Sequence, residues 1–204
     1  MRCIKTPKMG LLLAAGLLAA TAFAGSEPAG VPNFHQVNPQ LYRGGQPTNE
    51  GFQYLAKLGV KTVINLRQPG DGGLAEKNVV EAAGMRYINV PMLGMHTPSD
   101  DQVLKVLSVF NDPTAGPVFV HCRRGADRTG AVVACYRISH DGWDNHKALE
   151  EAKDFGMSWF EKSIQHYVKH FTAPPSIAAA PAASTPAAAA LPDAAAAPVT
   201  AISQ

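Results

Sequence analysis

Residues 117–138 constrain this chain more than any other stretch. Pro117-Val-Phe-Val-His121 is a β-branched run suited to a buried strand, and residues 131–138 are apolar on almost every face except at Arg137. A buried strand therefore passes through a seven-residue turn, Cys122 to Arg128, into a helix that starts about Thr129 and lies in the middle of the fold. Such a pair needs covering layers on both sides.

The flanking sequence supplies them. Leu41-Tyr-Arg-Gly-Gly45 reads as an edge strand or turn. Thr48 caps a helix with Phe52, Leu55, Ala56 and Leu58 on its apolar side, stopped by Gly59. Residues 60–66 form a strand, a Gly-rich loop leads to a second helix ending at Gly84, and residues 85–91 form the next strand. Ser99 and Gln102 have capping-box spacing ahead of the stripe Val103, Leu104, Val106, Leu107 and Phe110. Two more helices follow, one over residues 144–155 and one from Ser158, where Glu161 completes a second capping-box pattern. Strands alternating with helices predict an α/β fold, a mainly parallel central sheet flanked by helices. In such sheets ligands bind beyond the carboxyl ends of the strands, where residues 122–129 lie.

Both ends differ from this middle. Arg2, Lys5 and Lys8, an uncharged Leu/Ala-rich run and Ala22-Phe23-Ala24 make the pattern of a secretory signal peptide over residues 1–24. The run is shorter than the about 20 apolar residues of a spanning helix, so no stable membrane anchor is expected after cleavage. The expected location is periplasmic or secreted. The 204-residue chain is formally +2; cleavage removes those three cations and no acid, leaving −1, which gives no nucleic-acid surface. Residues 172–204 are mostly Ala and Pro, with Asp193 the only charged side chain, and read as a disordered tail. The domain between is expected over residues 31–171; oligomeric state leaves no signal.

The turn carries the chemistry. Gly125 permits unusual backbone angles, and successive N–H groups at a helix N-terminus can form an anion-binding nest. The same positive end favours the thiolate of a cysteine placed there, making Cys122 a candidate nucleophile. Arg128 offers a planar fork for two phosphate oxygens, and Thr129 can hydrogen-bond the sulfur. His121 is expected to orient the loop from beneath through backbone bonds. Cys135 lies about 9 Å of helical rise from the loop, beyond disulfide reach, and reads as core.

His121-Cys-Arg-Arg-Gly-Ala-Asp-Arg-Thr-Gly130 resembles the His-Cys-x5-Arg-Thr/Ser-Gly loop of the cysteine-dependent protein tyrosine phosphatase superfamily. Together with Leu41-Tyr-Arg-Gly-Gly-Gln-Pro47 and Gly142-Trp143, it is similar to the compact dual-specificity branch, in its exported bacterial and atypical plant and fungal forms. The resemblance covers roughly residues 38–171. It implies hydrolysis of a phosphomonoester through a phosphocysteine at Cys122, with no cofactor or metal, and a substrate-binding loop of Arg123, Arg124, Gly125, Ala126 and Asp127. The partner it implies is a phosphorylated protein or a small phosphorylated metabolite, inositol (pyro)phosphate included.

The family's mechanism also needs a carboxylic acid before the phosphate-loop strand. Asp100 is the first candidate and Asp101 the second, although aspartates after an N-cap Ser are ordinary helix-dipole partners. In the exported bacterial relatives the acid position falls nearer His96, and Asp127 is a further candidate. Arg123 and Arg124 are either solvated surface or a preference for extra anionic groups. His166 and His170 have metal-ligand spacing without an evident third ligand. Two other classes compete: a rhodanese-like sulfurtransferase, whose loop is typically one residue shorter, and a non-catalytic phosphate-binding module, favoured if the acid is missing.

Overall fold

The computed structural model describes residues 30–68, 70, 73–175 and 177. The expected signal peptide, Cys3 and most of the Ala/Pro-rich tail lie outside the described residues.

Five strands and six helices form among the described residues. In chain order they are β1 His35–Asn38, β2 Leu41–Gly44, α1 Asn49–Lys57, β3 Thr62–Asn65, α2 Gly73–Ala82, β4 Arg86–Asn89, α3 Asp100–Phe110, β5 Val118–His121, α4 Asp127–Ser139, α5 Asn145–Asp154 and α6 Lys162–His170. The sheet order is β1-β2-β5-β3-β4. β1 pairs antiparallel with β2, and every other pairing is parallel, so the carboxyl ends of β2, β5, β3 and β4 all open on one side. The expected mainly parallel α/β architecture is the one that forms.

β5 sits at the centre and its alternation divides the core. Phe119 belongs to the cluster built with Phe52 and Leu55 of α1 and Val80 of α2. Val118 and Val120 belong to the cluster with Val103, Val106 and Leu107 of α3 and Val132, Val133 and Tyr136 of α4. The far side of α4 is covered in turn, its Ala131 and Ala134 packing on Ala148, Leu149 and Ala152 of α5 and Ile164 and Val168 of α6. Small residues on that side let the helices approach closely. Burial on both faces is why this helix lacks an amphipathic stripe. Cys135 is fully buried, and burial, with the Asp100 charge adding to it, pushes its thiol well above the ordinary range. Both described cysteines are free, matching the expectation of core packing without a disulfide.

Helix starts follow the capping chemistry at three sites. The Thr48 hydroxyl accepts from Gly51 N–H, Ser99 and Gln102 form a reciprocal capping box, and the Asp144 carboxylate accepts from Lys147 N–H. The Ser158–Glu161 capping box does not form. Glu161 is itself the N-cap of α6 and its side chain makes no capping bond. Ser158 is drawn instead into contacts with the turn after β5.

Three further expectations need correction. β2 is an interior strand, not an edge, because the polar segment His-Gln-Val-Asn adds β1 outside it across a register shift between Gln36 and Asn38. α4 begins at Asp127, two residues before Thr129, so Asp127 and Arg128 occupy its first turn. The chain also stays on the core past residue 171: Ala173 and Ile177 pack against the α3/α4 cluster, and Asn111 Nδ2 donates to Ile177 O at 3.4 Å.

Phe119 is fully buried, with its ring stacked on His121 at 5.6 Å. Its ring atoms lie 2.9 Å from where a Cβ on Gly44 would stand. Phe119→Ala should therefore lower unfolding free energy by about 3–5 kcal/mol, read from urea denaturation.

Candidate active site

The loop after β5 is built against β2. Gly125 has φ +74°, the left-handed region that favours glycine, and an added Cβ would meet Gly44 C and O at 2.3 and 2.5 Å. Gly45 is less tightly restricted, its Cβ lying 3.1 Å from the Arg124 carbonyl carbon. Gln46 N–H donates to Arg123 O at 3.1 Å, and Arg43 Nη2 donates to Gly125 O at 2.9 Å. The outer wall of the loop thus rests on the Arg-Gly-Gly-Gln run of β2 and its exit.

Arg43 is an unusual foundation. It is 1% exposed, its guanidinium lies 4.4 Å from the Phe155 ring centroid, and its Nε and Nη1 have no hydrogen-bond partner. Burial pushes it down to about 10, against the opposing charges of Glu151 and Cys122. It therefore stays charged at neutral pH and places a cation behind the loop.

The inner side is held by a second buried group. His121 is fully buried, with Nδ1 3.3 Å from Cys122 O and Nε2 2.9 Å from Glu76 Oε1. Glu76 also accepts from Gln46 Nε2 at 2.8 Å and pairs with Arg67 at 3.7 Å. The expected orienting role of His121 thus runs through one backbone carbonyl, and α2 contributes the carboxylate that positions the ring.

Within this frame Cys122 is 2% exposed. Arg128 is half-buried at the opposite end of the loop, its Nη1 donating to Met92 O at 3.3 Å and Leu66 O at 3.5 Å. Those carbonyls lie in the segments that leave β3 and β4, so the exits of the sheet hold the guanidinium. No carboxylate among the described residues lies within ion-pair distance of Arg128, leaving the rest of its fork for an anion. The Thr129 hydroxyl is buried without a partner, so the expected bond to sulfur is absent here. Ala126 is the N-cap of α4 and supplies no side-chain cap. An oxyanion in the loop would meet the helix end, Thr129 and Arg128 together.

The two rim arginines part company. Arg123 is exposed, whereas Arg124 Nη2 donates to Asp127 Oδ2 at 2.6 Å and to Ser158 Oγ at 2.5 Å. Asp127 Oδ1 accepts from Ser158 N–H at 2.8 Å. Burial pushes the Asp127 carboxyl up, but the hydrogen bonds from Arg124 and Ser158 outweigh it and hold the group below the ordinary range. Asp127 is thus an ionised strut between the loop and the α5–α6 turn, a poor proton donor.

The other acid candidates are not gathered at the loop. Asp100 Oδ1 accepts from Tyr167 OH at 2.8 Å in a depression shared with Thr97, Leu104, His166 and His170, so its carboxylate faces α6. Asp101 is exposed on the first turn of α3. His96 is exposed, its Nδ1 2.7 Å from Gly94 O. The loop carrying it is fastened to α6 where Ser163 Oγ donates to Met95 O at 3.2 Å. One carboxylate overlooked in the sequence does stand here. Glu161 is 6% exposed, and its charged neighbours are Asp127, Arg124, Arg128 and His96. No described group of three His, Cys, Asp or Glu side chains could hold a metal, and the rings of His166 and His170 lie 4.1 Å apart.

A family model described as "DSP-PTPase phosphatase fused to NAD+ Kinase" matches residues 27–168. The chain belongs to the DSP-PTPase phosphatase family. The dual specificity protein phosphatase TpbA of Pseudomonas aeruginosa is 34% identical over 129 residues, 61% of this chain and 55% of that protein. Inositol diphosphatase DSP5 of Arabidopsis thaliana is 32% identical over 143 residues, 66% of this chain and 67% of its own length. The chain thus spans about half the length of the first of these relatives. The crystal structure of P. aeruginosa TpbA superimposes with a TM-score of 0.59 at 30% identity, covering 72% of this chain and 92% of that one. The catalytic core of Siw14, at 24% identity and TM-score 0.62, shares the fold.

Gly125→Ala should both strain the left-handed position, by about 1–2 kcal/mol, and drive a methyl into the backbone of Gly44. The expected result is a lower melting temperature together with loss of phosphate binding, read by calorimetry with inorganic phosphate.

Proposed function

We propose that this protein is a cysteine-dependent phosphomonoesterase working through a phosphocysteine at Cys122. The observation that carries the reading is Arg128: a half-buried guanidinium with no carboxylate partner among the described residues, held by the carbonyls of Leu66 and Met92 at the end of the loop that begins with Cys122. A phosphate in that loop would accept from the Arg128 fork and from backbone N–H groups at the α4 end, while the sulfur attacks phosphorus in line with the departing oxygen. The P–S bond forms as the P–O bond breaks; water then attacks phosphorus and releases the thiolate. Arg43, His121 and Glu76 position the loop and do not touch substrate. Family membership favours this chemistry over the sulfurtransferase reading.

For substrate, a phosphorylated protein is the first reading, supported by the relative TpbA, whose variant has been solved in complex with pTyr. Inositol diphosphate is the second, supported by DSP5 and by Arg123, which stays exposed at the rim where further phosphates would sit. We further propose export through the N-terminal segment, on the strength of its charge and apolar pattern.

Cys122→Ser should abolish turnover, because a hydroxyl does not ionise at neutral pH as a thiol does. Arg128→Lys should lose about 10²-fold or more in kcat, since a point charge cannot replace the fork. Chelator should leave the wild-type rate unchanged. Phosphate release from a panel of phosphotyrosyl and phosphoseryl peptides and inositol pyrophosphate ranks the two substrate readings; full activity in Cys122→Ser would overturn the mechanism.

A further inference from the structure

Glu161 is largely covered by the fold, yet its carboxylate is given no partner among the described residues. It is the N-cap residue of α6, yet its side chain makes no capping bond. No hydrogen bond or ion pair reaches that carboxylate from any described residue, and the residue is only 6% exposed although it lies shallow in the molecule. Its carboxylate oxygens are not among the sealed, unpartnered polar atoms of the fold, so the group keeps access to water and can exchange a proton.

Its surroundings are those of the loop. The turn that carries it is fastened to the candidate active site: Asp127 accepts from Ser158 N–H, Arg124 donates to Ser158 Oγ, and Glu161 N–H donates to Ser158 O at 3.1 Å. The charged groups bearing on it are Asp127 and Arg124 from the loop and α4, Arg128 from α4, and His96 from the segment after β4. On its own helix Lys162 is turned toward the Trp159 ring, 5.9 Å from its centroid. Glu161 therefore lies within electrostatic reach of both the phosphate clamp and the segment where the family's acid is expected, while Asp100 and Asp127 are engaged elsewhere.

We propose that Glu161 is the general acid of this enzyme, delivered from the start of α6. The inference rests on the phosphatase reading above. As the Cys122 thiolate attacks phosphorus, the P–O bond breaks and its electron pair passes to the leaving oxygen. That oxygen takes the proton of the Glu161 carboxyl. The resulting carboxylate then accepts a proton from the water that attacks the phosphocysteine, the P–S bond breaks, and thiolate and inorganic phosphate are regenerated. Burial first, and then the Asp127 charge, hold the Glu161 carboxyl above the ordinary range against the pull of Arg124, Arg128 and His96. That shift keeps the acid form present at higher pH, as proton donation requires.

The test compares full-length wild type, Glu161→Gln, Glu161→Asp and His96→Ala on phenyl phosphate and on an activated nitrophenyl phosphate, across pH. Glu161→Gln should lose about 10²-fold in kcat on phenyl phosphate, keep its rate on the nitrophenyl ester, and lose the alkaline fall of the phenyl phosphate profile. Glu161→Asp should restore that fall at a reduced rate, and His96→Ala should retain it. An equal loss on both esters in Glu161→Gln marks a structural role and overturns the assignment, as does an unchanged phenyl phosphate rate. A leaving-group-dependent loss in His96→Ala instead of Glu161→Gln overturns it too. Wild type that hydrolyses neither ester would defeat the phosphatase reading itself, which separates the two failures.

Discussion

The whole site depends on one backbone-to-backbone approach, that of Gly125 to Gly44 and Gly45. An added Cβ on Gly125 would meet Gly44 C and O at 2.3 and 2.5 Å, so only glycine lets the loop lean on the exit of β2 without intervening atoms. The carbonyl of Gly125 is then within reach of Arg43, and the carbonyl of Arg123 within reach of Gln46 N–H. With those two carbonyls engaged by β2 and its exit, the backbone of the turn is fixed from outside, which is the preorganisation an oxyanion site needs.

Fixing the loop this way requires buried charge, and the fold supplies each with a distinct remedy. Arg43 is solvated by a carbonyl and an aromatic face, an arrangement that leaves two of its nitrogens without partners among the described residues. Glu76 is surrounded by His121, Gln46 and Arg67. Asp127 is satisfied by Arg124 and Ser158. Each arrangement ties a different element to the loop, β2, α2 and the α5–α6 turn in that order. Removing any one partner would leave a charge in the interior, a larger penalty than loss of the contact itself.

The pattern of legibility follows from the range of the interactions. Strand and helix periods, three caps, the turn from Cys122 to Arg128 and the buried α4 are local, and the sequence displays them directly. β1 was hidden because His-Gln-Val-Asn has no apolar alternation and joins the sheet only through β2. Arg43 and Glu76 look like surface residues in the chain, and only the β2–loop and α2–β5 contacts make them interior. Glu161 fits a capping pattern with Ser158 in sequence, but Ser158 is recruited by Arg124 and Asp127, which leaves the glutamate without the cap it appears to complete. Asp100 was placed near the chemistry by its position after β4, yet Tyr167 on α6, far along the chain, takes its carboxylate.

The charges around the loop also decide how substrate and acid act on each other. Of the carboxylates nearby, Glu76 and Asp127 are neutralised by their partners, so the arginines leave the loop electropositive. Burial and Asp127 hold the Glu161 carboxyl above the ordinary range, outweighing the downward pull of Arg124 and Arg128. A phosphate dianion seated on Arg128 cancels part of that pull and adds a like charge of its own. Both changes move Glu161 toward its protonated form. A phosphate bound at Arg128 would thus raise further a carboxyl that burial and Asp127 already hold up, because Arg128 bears on both the phosphate and the glutamate.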